Sequence, residues 1–308
     1  MKDVLIIGGS YFVGRVFVEE LIKAGNYQIH LFNRGNIPFQ REEVLEYTGD
    51  RNDEERIKEV IPKKEWYAVV DFCGYTPDHI TKMITSIPGN IKKYVFISTT
   101  TIYKEVLDLP IRENAPKVDS PQPELGDYAH YGYHKWLAEC SLREACRGRG
   151  ISYTCLRPAI IYGKYNYAPR EYYFFNLISD HRPIILPDNE LALFSFVWVE
   201  DVARMILRCM ESDKANNLAL NTCAEELVSY QRFIEVLEEI LGKRIETIKM
   251  SSAEIDRRRI PLPFPLDNHL AYSGAKAGRI LDFEYTPFVE GMKKTYEHYQ
   301  WLQAKKTK

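Results

Sequence analysis

The sequence predicts an α/β protein: a doubly wound parallel sheet joined to a smaller lobe built from the later part of the chain. Two observations carry the prediction. Short continuous apolar runs, suited to strands buried on both faces, alternate with stretches of helical apolar spacing. The first run, Val4-Leu5-Ile6-Ile7, passes directly into glycines and then into a helical stretch. Repeated units of this kind call for parallel strands joined by right-handed crossovers.

Taken in order, residues 4–7 form the first strand, 12–24 a helix closed by Gly25, and 29–32 a second strand. Residues 44–47 read as a weaker strand and 53–60 as a helix. A strong apolar strand covers 67–72. The helix at 77–87 opens on Pro77, whose missing N–H is tolerated at a helix start, and ends at Pro88-Gly89. Residues 94–97 are again a buried strand, 129–146 a long helix closed by Gly148 and Gly150, and 153–156 a strand stopped by Pro158. The pattern loosens after Gly163, where 165–187 is rich in Tyr, Phe and Pro. Strands then follow at 196–199 and 218–222, and helices at 201–210, 230–241 and 289–302, with a proline-rich loop at 261–265.

At 308 residues the chain exceeds the length of one ordinary domain, about 100–200 residues. With 45% hydrophobic and 27% charged residues it belongs with folded, not disordered, chains. Its 41 Lys and Arg against 43 Asp and Glu exclude a globally basic nucleic-acid or membrane-surface protein, though not a local basic cleft. The six cysteines, at 73, 140, 146, 155, 209 and 223, form no C-x-x-C pair. They are too sparse for a disulfide scaffold and read as reduced thiols of a cytoplasmic protein. Four apolar residues precede the first glycine, short of the roughly 7–15 of a signal peptide, and no run approaches the roughly 18 of a membrane span. The Lys-rich tail at 305–308 reads as a frayed, solvated terminus. No metal site is expected: Cys140 and Cys146 share a helix without a partner at ligand spacing, and His130 and His134 have no third ligand.

The turn Gly8-Gly9-Ser10-Tyr11-Phe12-Val13-Gly14 lies between a buried strand and a helix. Glycines there permit close approach of a pyrophosphate, and the helix N-terminus supplies free N–H groups and partial positive charge. Gly8, Ser10, Tyr11, Phe12, Val13 and Gly14 are therefore candidate dinucleotide-binding residues. The second strand ends Leu31-Phe32-Asn33-Arg34. An acidic residue at that end would bind ribose hydroxyls and repel a 2′-phosphate, whereas a guanidinium pairs with phosphate. Asn33 and Arg34 thus favour NADP over NAD.

These features resemble the extended short-chain dehydrogenase/reductases, the NAD-dependent epimerase/dehydratase family. Residues 7–14 are similar to its T-G-x-x-G-x-x-G opening, with Tyr11 in place of the middle glycine, the mark of an atypical branch. Thr48-Gly49-Asp50-Arg51 resembles the segment that meets adenine in the family, which implies nucleotide-binding roles for Asp50 and Arg51. Asp71-Phe72-Cys73-Gly74 stands where the family has its turn beside the cofactor, implicating Cys73 and Gly74. Residues 96–103 are similar to F-x-S-[ST]-x-x-V-Y, 131–135 to Y-G-x-x-K, 156–163 to L-R-P-x-x-x-Y-G and 196–203 to F-x-x-V-x-D-x-A. The resemblance implies a Rossmann-type sheet with a C-terminal substrate lobe, divided as 1–164 with 196–223 for the dinucleotide and 165–195 with 224–308 for the substrate. It also implies a homodimer, paired through the helix that carries the catalytic tyrosine.

Tyr131 and Lys135 are four apart on a predicted helix and share a face. A tyrosine with a pKa near 10 is a poor base at neutral pH, but a nearby ammonium favours the phenolate. Tyr131 can then exchange a proton with a substrate oxygen while hydride passes to or from a nicotinamide. The resemblance adds that Lys135 also holds the nicotinamide ribose and that Thr99 is the catalytic hydroxyl. On the substrate side, Tyr162, Tyr165, Tyr167, Tyr172 and Tyr173 crowd one segment, suited either to sugars or to lobe packing. Many nucleotide-sugar members carry an arginine where this chain has Phe194, with Arg170 or Arg182 as the available substitutes. The basic run Arg257-Arg258-Arg259 reads as a solvated helix face.

The leading reading is an NAD(P)-dependent oxidoreductase or epimerase acting on a secondary alcohol or ketone of a small molecule, such as a sugar derivative. An RNA-binding or non-catalytic NADP-binding member of the superfamily is the alternative, because the stem-loop RNA-binding proteins of chloroplasts also replace the middle glycine. The intact Tyr131/Lys135 pair and the near-neutral charge argue against nucleic acid. An NADP-binding redox sensor is the third reading.

Overall fold

The computed structural model describes residues 1–189 and 192–306. Along the chain the strands are β1 (Lys2–Ile7), β2 (Tyr27–Asn33), β3 (Val44–Thr48), β4 (Lys64–Trp66), β5 (Ala68–Asp71), β6 (Gly89–Ile91) and β7 (Lys93–Ile97). They continue as β8 (Ser152–Pro158), β9 (Ile160–Tyr162), β10 (Ile184–Pro187), β11 (Phe194–Trp198), β12 (Leu218–Thr222), β13 (Leu227–Val228) and β14 (Thr247–Met250). The helices are α1 (Phe12–Ala24), α2 (Glu54–Val60), α3 (Pro77–Ser86), α4 (Tyr131–Arg149), α5 (Glu171–Ser179), α6 (Val199–Glu211), α7 (Tyr230–Leu241), α8 (Ser252–Arg257), α9 (Ala275–Leu281) and α10 (Phe288–Lys306).

Seven strands form one sheet in the order β12-β8-β7-β5-β1-β2-β3, every pair parallel. The chain winds outward from β1 in both directions. Its switch point therefore lies at the C-terminal ends of β1, β2 and β5, where doubly wound sheets bind ligands. The period-2 alternation of a strand explains the two cores. Val4 and Ile6 face the cluster containing Val16, Phe17 and Met205 of α1 and α6. Leu5 and Ile7 face the opposite cluster, with Ile57, Ile80 and Leu142 of α2, α3 and α4.

The later segments use other sheets. After β8 a single residue intervenes before β9, which pairs in parallel with β11, and β11 pairs antiparallel with β13. The strand expected at 196–199 thus lies outside the large sheet, although α6 directly after it returns to pack on α1. Strand β10 pairs with β14. Helix α5 and strand β10 fall in the Tyr/Phe/Pro-rich stretch that reads as irregular. Their aromatic residues are core: Phe174 lies 4.6 Å from the ring of Phe233 on α7, with Phe264 stacked at 6.3 Å.

The helix expected from 129 starts at Tyr131, preceded by a 3₁₀ segment, Pro123–Tyr128, that kinks at Gly126 with φ 56°. It runs past Gly148 to Arg149 because the left-handed residue that caps it is Gly150, at φ 67°. Of the Lys-rich tail, Lys305 and Lys306 close helix α10, and residues 307 and 308 lie outside those described. Among the described residues, no helix is long and apolar enough to cross a membrane.

Candidate functional site

At the C-terminal end of β1 the chain turns through Gly8 and Gly9, with φ of 87° and 89°. This left-handed region favours glycine. Space forbids side chains as well: a Cβ on Gly14 would stand 2.3 Å from the Cα of Gly9. The first turn of α1 therefore packs directly on the glycine turn. Tyr11 caps α1 without a side-chain hydrogen bond, and no acidic residue occupies the first turn. The N–H of Gly14 turns to the Tyr11 carbonyl at 3.1 Å, and the Tyr11 side chain does not compete with an anion at the helix start.

A cavity of about 550 Å³ opens over this turn, within the range of small-molecule sites. Gly8, Ser10, Tyr11, Phe12, Val13 and Gly14 line one side, and Asn33, Arg34, Asp50, Arg51 and Cys73 line others. Asn33 accepts from the N–H of Gly35 at 2.6 Å, while its buried Nδ2 donor has no partner among the described residues. Arg34 makes no salt bridge there. Asp50 is held below the usual carboxylate range by the backbone N–H of Asn52, and its charge is further favoured by Arg34. Tyr75, His79, Asn36, Ile37 and Tyr167 also line the cavity. The sequence reading passed over the first four, and it placed Tyr167 only among the substrate-side tyrosines. Tyr75 and His79 follow the end of β5 at the switch point, which is the signal that could have found them.

Arg51 lines the cavity and also belongs to a buried network. Its guanidinium donates to both oxygens of Asp71 at 2.9 Å, to Cys73 Sγ at 3.2 Å and to the carbonyl of His79 at 2.8 Å. It braces the cavity floor through these bonds, while its buried Nε has no partner among the described residues. Burial pushes the Cys73 thiol up to about 11. Gly74 does not line the cavity; its carbonyl accepts from Lys135 at 2.9 Å.

Thr99, Tyr131 and Lys135 stand together beside the cavity, next to its lining residues Tyr75 and Ile97. A Cβ on Gly132 would meet the Thr101 carbonyl at 2.3 Å, so glycine there lets α4 begin against the Thr99–Thr101 segment. Tyr131 is thereby set beside Thr99. Thr99 Oγ1 lies 3.0 Å from the Thr101 hydroxyl. The Tyr131 ring lies 6.5 Å from that of Tyr75. Burial pushes the Tyr131 phenol up to about 12, aided by Tyr75, while Thr99 pulls the other way.

This is opposite in direction to the phenolate expected from a neighbouring ammonium. Burial is the largest cause, and Lys135 donates to the carbonyls of Gly74 at 2.9 Å and Ile97 at 2.6 Å, with no bond to Tyr131 among the described residues. Its own burial pushes the ammonium down to about 8. One turn further along α4, Glu139 pairs with Arg157 of β8 at 2.6 Å, which pins the helix to the sheet.

The other candidates separate clearly. Phe194 is core, ringed by Phe196, Tyr230 and Phe264. Arg170 donates to the carbonyl of Ile161 at 2.7 Å and favours the Tyr131 phenolate, whereas Arg182 is exposed. Tyr162 is buried, Tyr165 bonds to Glu19, and Tyr172 and Tyr173 pack in the second lobe, leaving Tyr167 alone of the five at the cavity. Arg257 and Arg258 both pair with Glu254. The His130 and His134 rings are 5.2 Å apart. Among the described residues no group of three or more His, Cys, Asp or Glu is placed to hold a metal.

Comparison with known proteins agrees with this fold. The chain is 25% identical over 312 residues to the chloroplast stem-loop binding protein of 41 kDa b of Arabidopsis thaliana, covering 96% of this chain and 78% of that one. Its fold matches UDP-glucose 4-epimerase of Thermotoga maritima, solved with UDP-glucose, at TM-score 0.77 and 20% identity, over 98% of this chain and 99% of the other. UDP-glucuronic acid 4-epimerase of Bacillus cereus, solved with UDP-glucuronic acid and NAD, matches at TM-score 0.74 and 16% identity, over 97% and 99%. Residues 4–221 match the model of the NAD dependent epimerase/dehydratase family, and the chain, an extended short-chain dehydrogenase/reductase in its motifs and its sheet, belongs to that family.

Proposed function

We propose that this NAD(P)-dependent epimerase/dehydratase-type enzyme acts by hydride transfer on a secondary alcohol or ketone of a sugar or nucleotide-sugar derivative. The observation that carries the reading is the grouping of Thr99, Tyr131 and Lys135 beside the glycine-lined cavity, with α4 seated against the Thr99–Thr101 segment and Tyr131 next to Tyr75. The cavity suits a dinucleotide: a helix N-terminus with no side-chain cap, a turn closed to side chains at Gly9 and Gly14, and Asn33 Nδ2, unpartnered among the described residues. Bound there, the nicotinamide would supply or take up the hydride. Gly8 to Gly14 would hold the diphosphate. Lys135 has three N–H donors, two spent on carbonyls, and the third is available to a ribose hydroxyl. With its phenol up at about 12, Tyr131 starts protonated and is set to give a proton to a substrate carbonyl. Thr99 orients the reacting oxygen.

Tyr131→Phe tests this. It should lower kcat by about 10²–10⁴-fold while nucleotide affinity stays within about twofold. Full activity in the variant would sink the proposal. The sugar-type substrate is supported by the nucleotide sugars held in the structural neighbours, and a panel of UDP-sugars assayed for C4 inversion is the direct search.

Asn33 and Arg34, with no carboxylate at the end of β2, support NADP over NAD. NADPH should bind about tenfold more tightly than NADH, a preference that Arg34→Ala abolishes. Tighter binding of NADH overturns it.

A second reading, RNA binding, is favoured by the likeness to the chloroplast stem-loop binding protein over 96% of this chain and 78% of that one. The charge balance of 41 against 43 weighs against it. A gel shift at two salt concentrations separates the two, since phosphate-driven binding weakens steeply with salt. A homodimer and a reducing, cytoplasmic setting complete the proposal. Light scattering tests the first, and the six free cysteines support the second.

A further inference from the structure

Position 11 carries tyrosine where the family pattern has glycine, and its backbone does not need one: φ is −137° and ψ 147°, ordinary extended geometry. The Tyr11 ring, 52% exposed, stacks on Tyr167, 68% exposed, with centroids 5.4 Å apart and planes 20° from parallel. Tyr167 also meets the buried Phe12 edge-on at 5.8 Å. Both exposed rings line the cavity over the glycine turn. One comes from the phosphate-binding turn and the other from the segment after β9, so the stack bridges two parts of the chain across the cavity.

The segment that presents Tyr167 is firmly built. Asn166, just before it, is buried and donates to both oxygens of the buried Glu171 at 3.1 and 3.0 Å. The Asn166 side-chain oxygen accepts from the N–H of Ala168, just after it, at 3.0 Å. Glu171 also accepts from the N–H of Gly163 at 2.9 Å. Both neighbours of Tyr167 are thereby fixed. Lys164 and Tyr165 reach Glu19 of α1 at 2.8 and 2.9 Å. The segment is strapped onto the same helix whose N-terminus faces the cavity. Its tip is held where the Tyr11 ring stands.

We infer that Tyr11 and Tyr167 form an aromatic clasp that retains the dinucleotide and sets its rate of release. The inference rests on the nucleotide reading of the cavity. The stack must part for a ligand to leave past it, and both rings are exposed enough to part without disturbing the core. Slow release has a chemical use. An enzyme that removes a hydride from a substrate and returns it to the same molecule regenerates its cofactor in place, whereas a net reductase must exchange it every turnover. The clasp puts this chain with the first kind.

The test is a chase. Protein loaded with NADPH is mixed with excess NADP⁺, and the loss of bound-NADPH fluorescence is followed by stopped flow. Tyr11→Gly and Tyr167→Ala should each speed release about three- to tenfold, the value of one aromatic pair. The double variant should release no faster than either single one, because removing one ring already abolishes the stack. Tyr11→Phe and Tyr167→Phe keep the rings and should keep slow release. Wild-type release from both single truncations, multiplying effects in the double variant, or fast release from the Phe variants each overturns the clasp and leaves the nucleotide reading standing. Failure of the unaltered protein to bind either NADPH or NADH overturns both.

Discussion

Arg51 and Lys135 are cations buried beside the same cavity, and their surroundings treat them in opposite ways. Burial works against the charge of Arg51, but Asp71 meets it with both oxygens, and the guanidinium is held more firmly charged than usual. Asp71 itself is fully buried. Burial alone would raise it, yet Arg51 and the hydroxyl of Tyr94 hold it below its ordinary 3.8. Lys135, 2% exposed, has among the described residues only the carbonyls of Gly74 and Ile97 as hydrogen-bond partners, and burial lowers its ammonium to about 8. Carbonyl dipoles satisfy N–H donors without neutralising a charge. A buried cation with a carboxylate partner is scaffold; one without is left near working pH, where its charge can respond to what binds beside it.

Asp71→Asn breaks the paired half of this contrast and should have the largest effect. It leaves the Arg51 charge buried and unpaired, at a cost of about 3–5 kcal/mol in urea unfolding. The pH dependence has a definite sign. Because the folded-state pKa of Asp71 lies below its unfolded value, its stabilisation is present above the ordinary carboxylate range and is lost as pH falls through the lowered value. The gap between wild type and variant should be full at neutral pH and close under acid.

Lys135→Met breaks the unpaired half. It should lower kcat about 10²–10³-fold, yet change stability by less than about 1 kcal/mol, because an apolar chain replaces a charge that burial disfavours. A loss of stability like that of Asp71→Asn would show that Lys135 is scaffold too. Tyr94→Phe is the finest probe. It removes the 2.7 Å hydrogen bond to Asp71 but keeps the Arg51 pair, and should cost about 1.5–2 kcal/mol with kcat unchanged.

Much of the large sheet is legible in the sequence because its strands are buried on both faces and read as apolar runs. Helix α1, strand β12 and helix α7 lie where residue pattern alone puts them. The second lobe is harder. Helix α5 and strand β10 take their places from contacts with α7, α10 and β14, which are distant in sequence, so no local period marks them. At the site, motif and position locate the glycine turn and bring Thr99, Tyr131 and Lys135 together. What they cannot supply is each group's partner. The commitment of Arg51 depends on a carboxylate twenty residues away, and the fall of the Lys135 pKa depends on two backbone carbonyls that no residue type announces. Tyr167 is visible as one of five tyrosines, but only the fold separates it from the four that pack elsewhere.

The glycine turn also shows where this chain is free to change. Gly9 and Gly14 are locked by contact and Gly8 and Gly9 by backbone angle, so a side chain at Gly9 or Gly14 would dismantle the site. Position 11, between them, is under neither constraint. A lineage can exchange residues there without renegotiating the fold, and each exchange alters only what the cavity's rim presents. On the proposed clasp, the motif is two fixed posts around one adjustable latch, where a substitution changes the release of a bound nucleotide and leaves the sheet as it is.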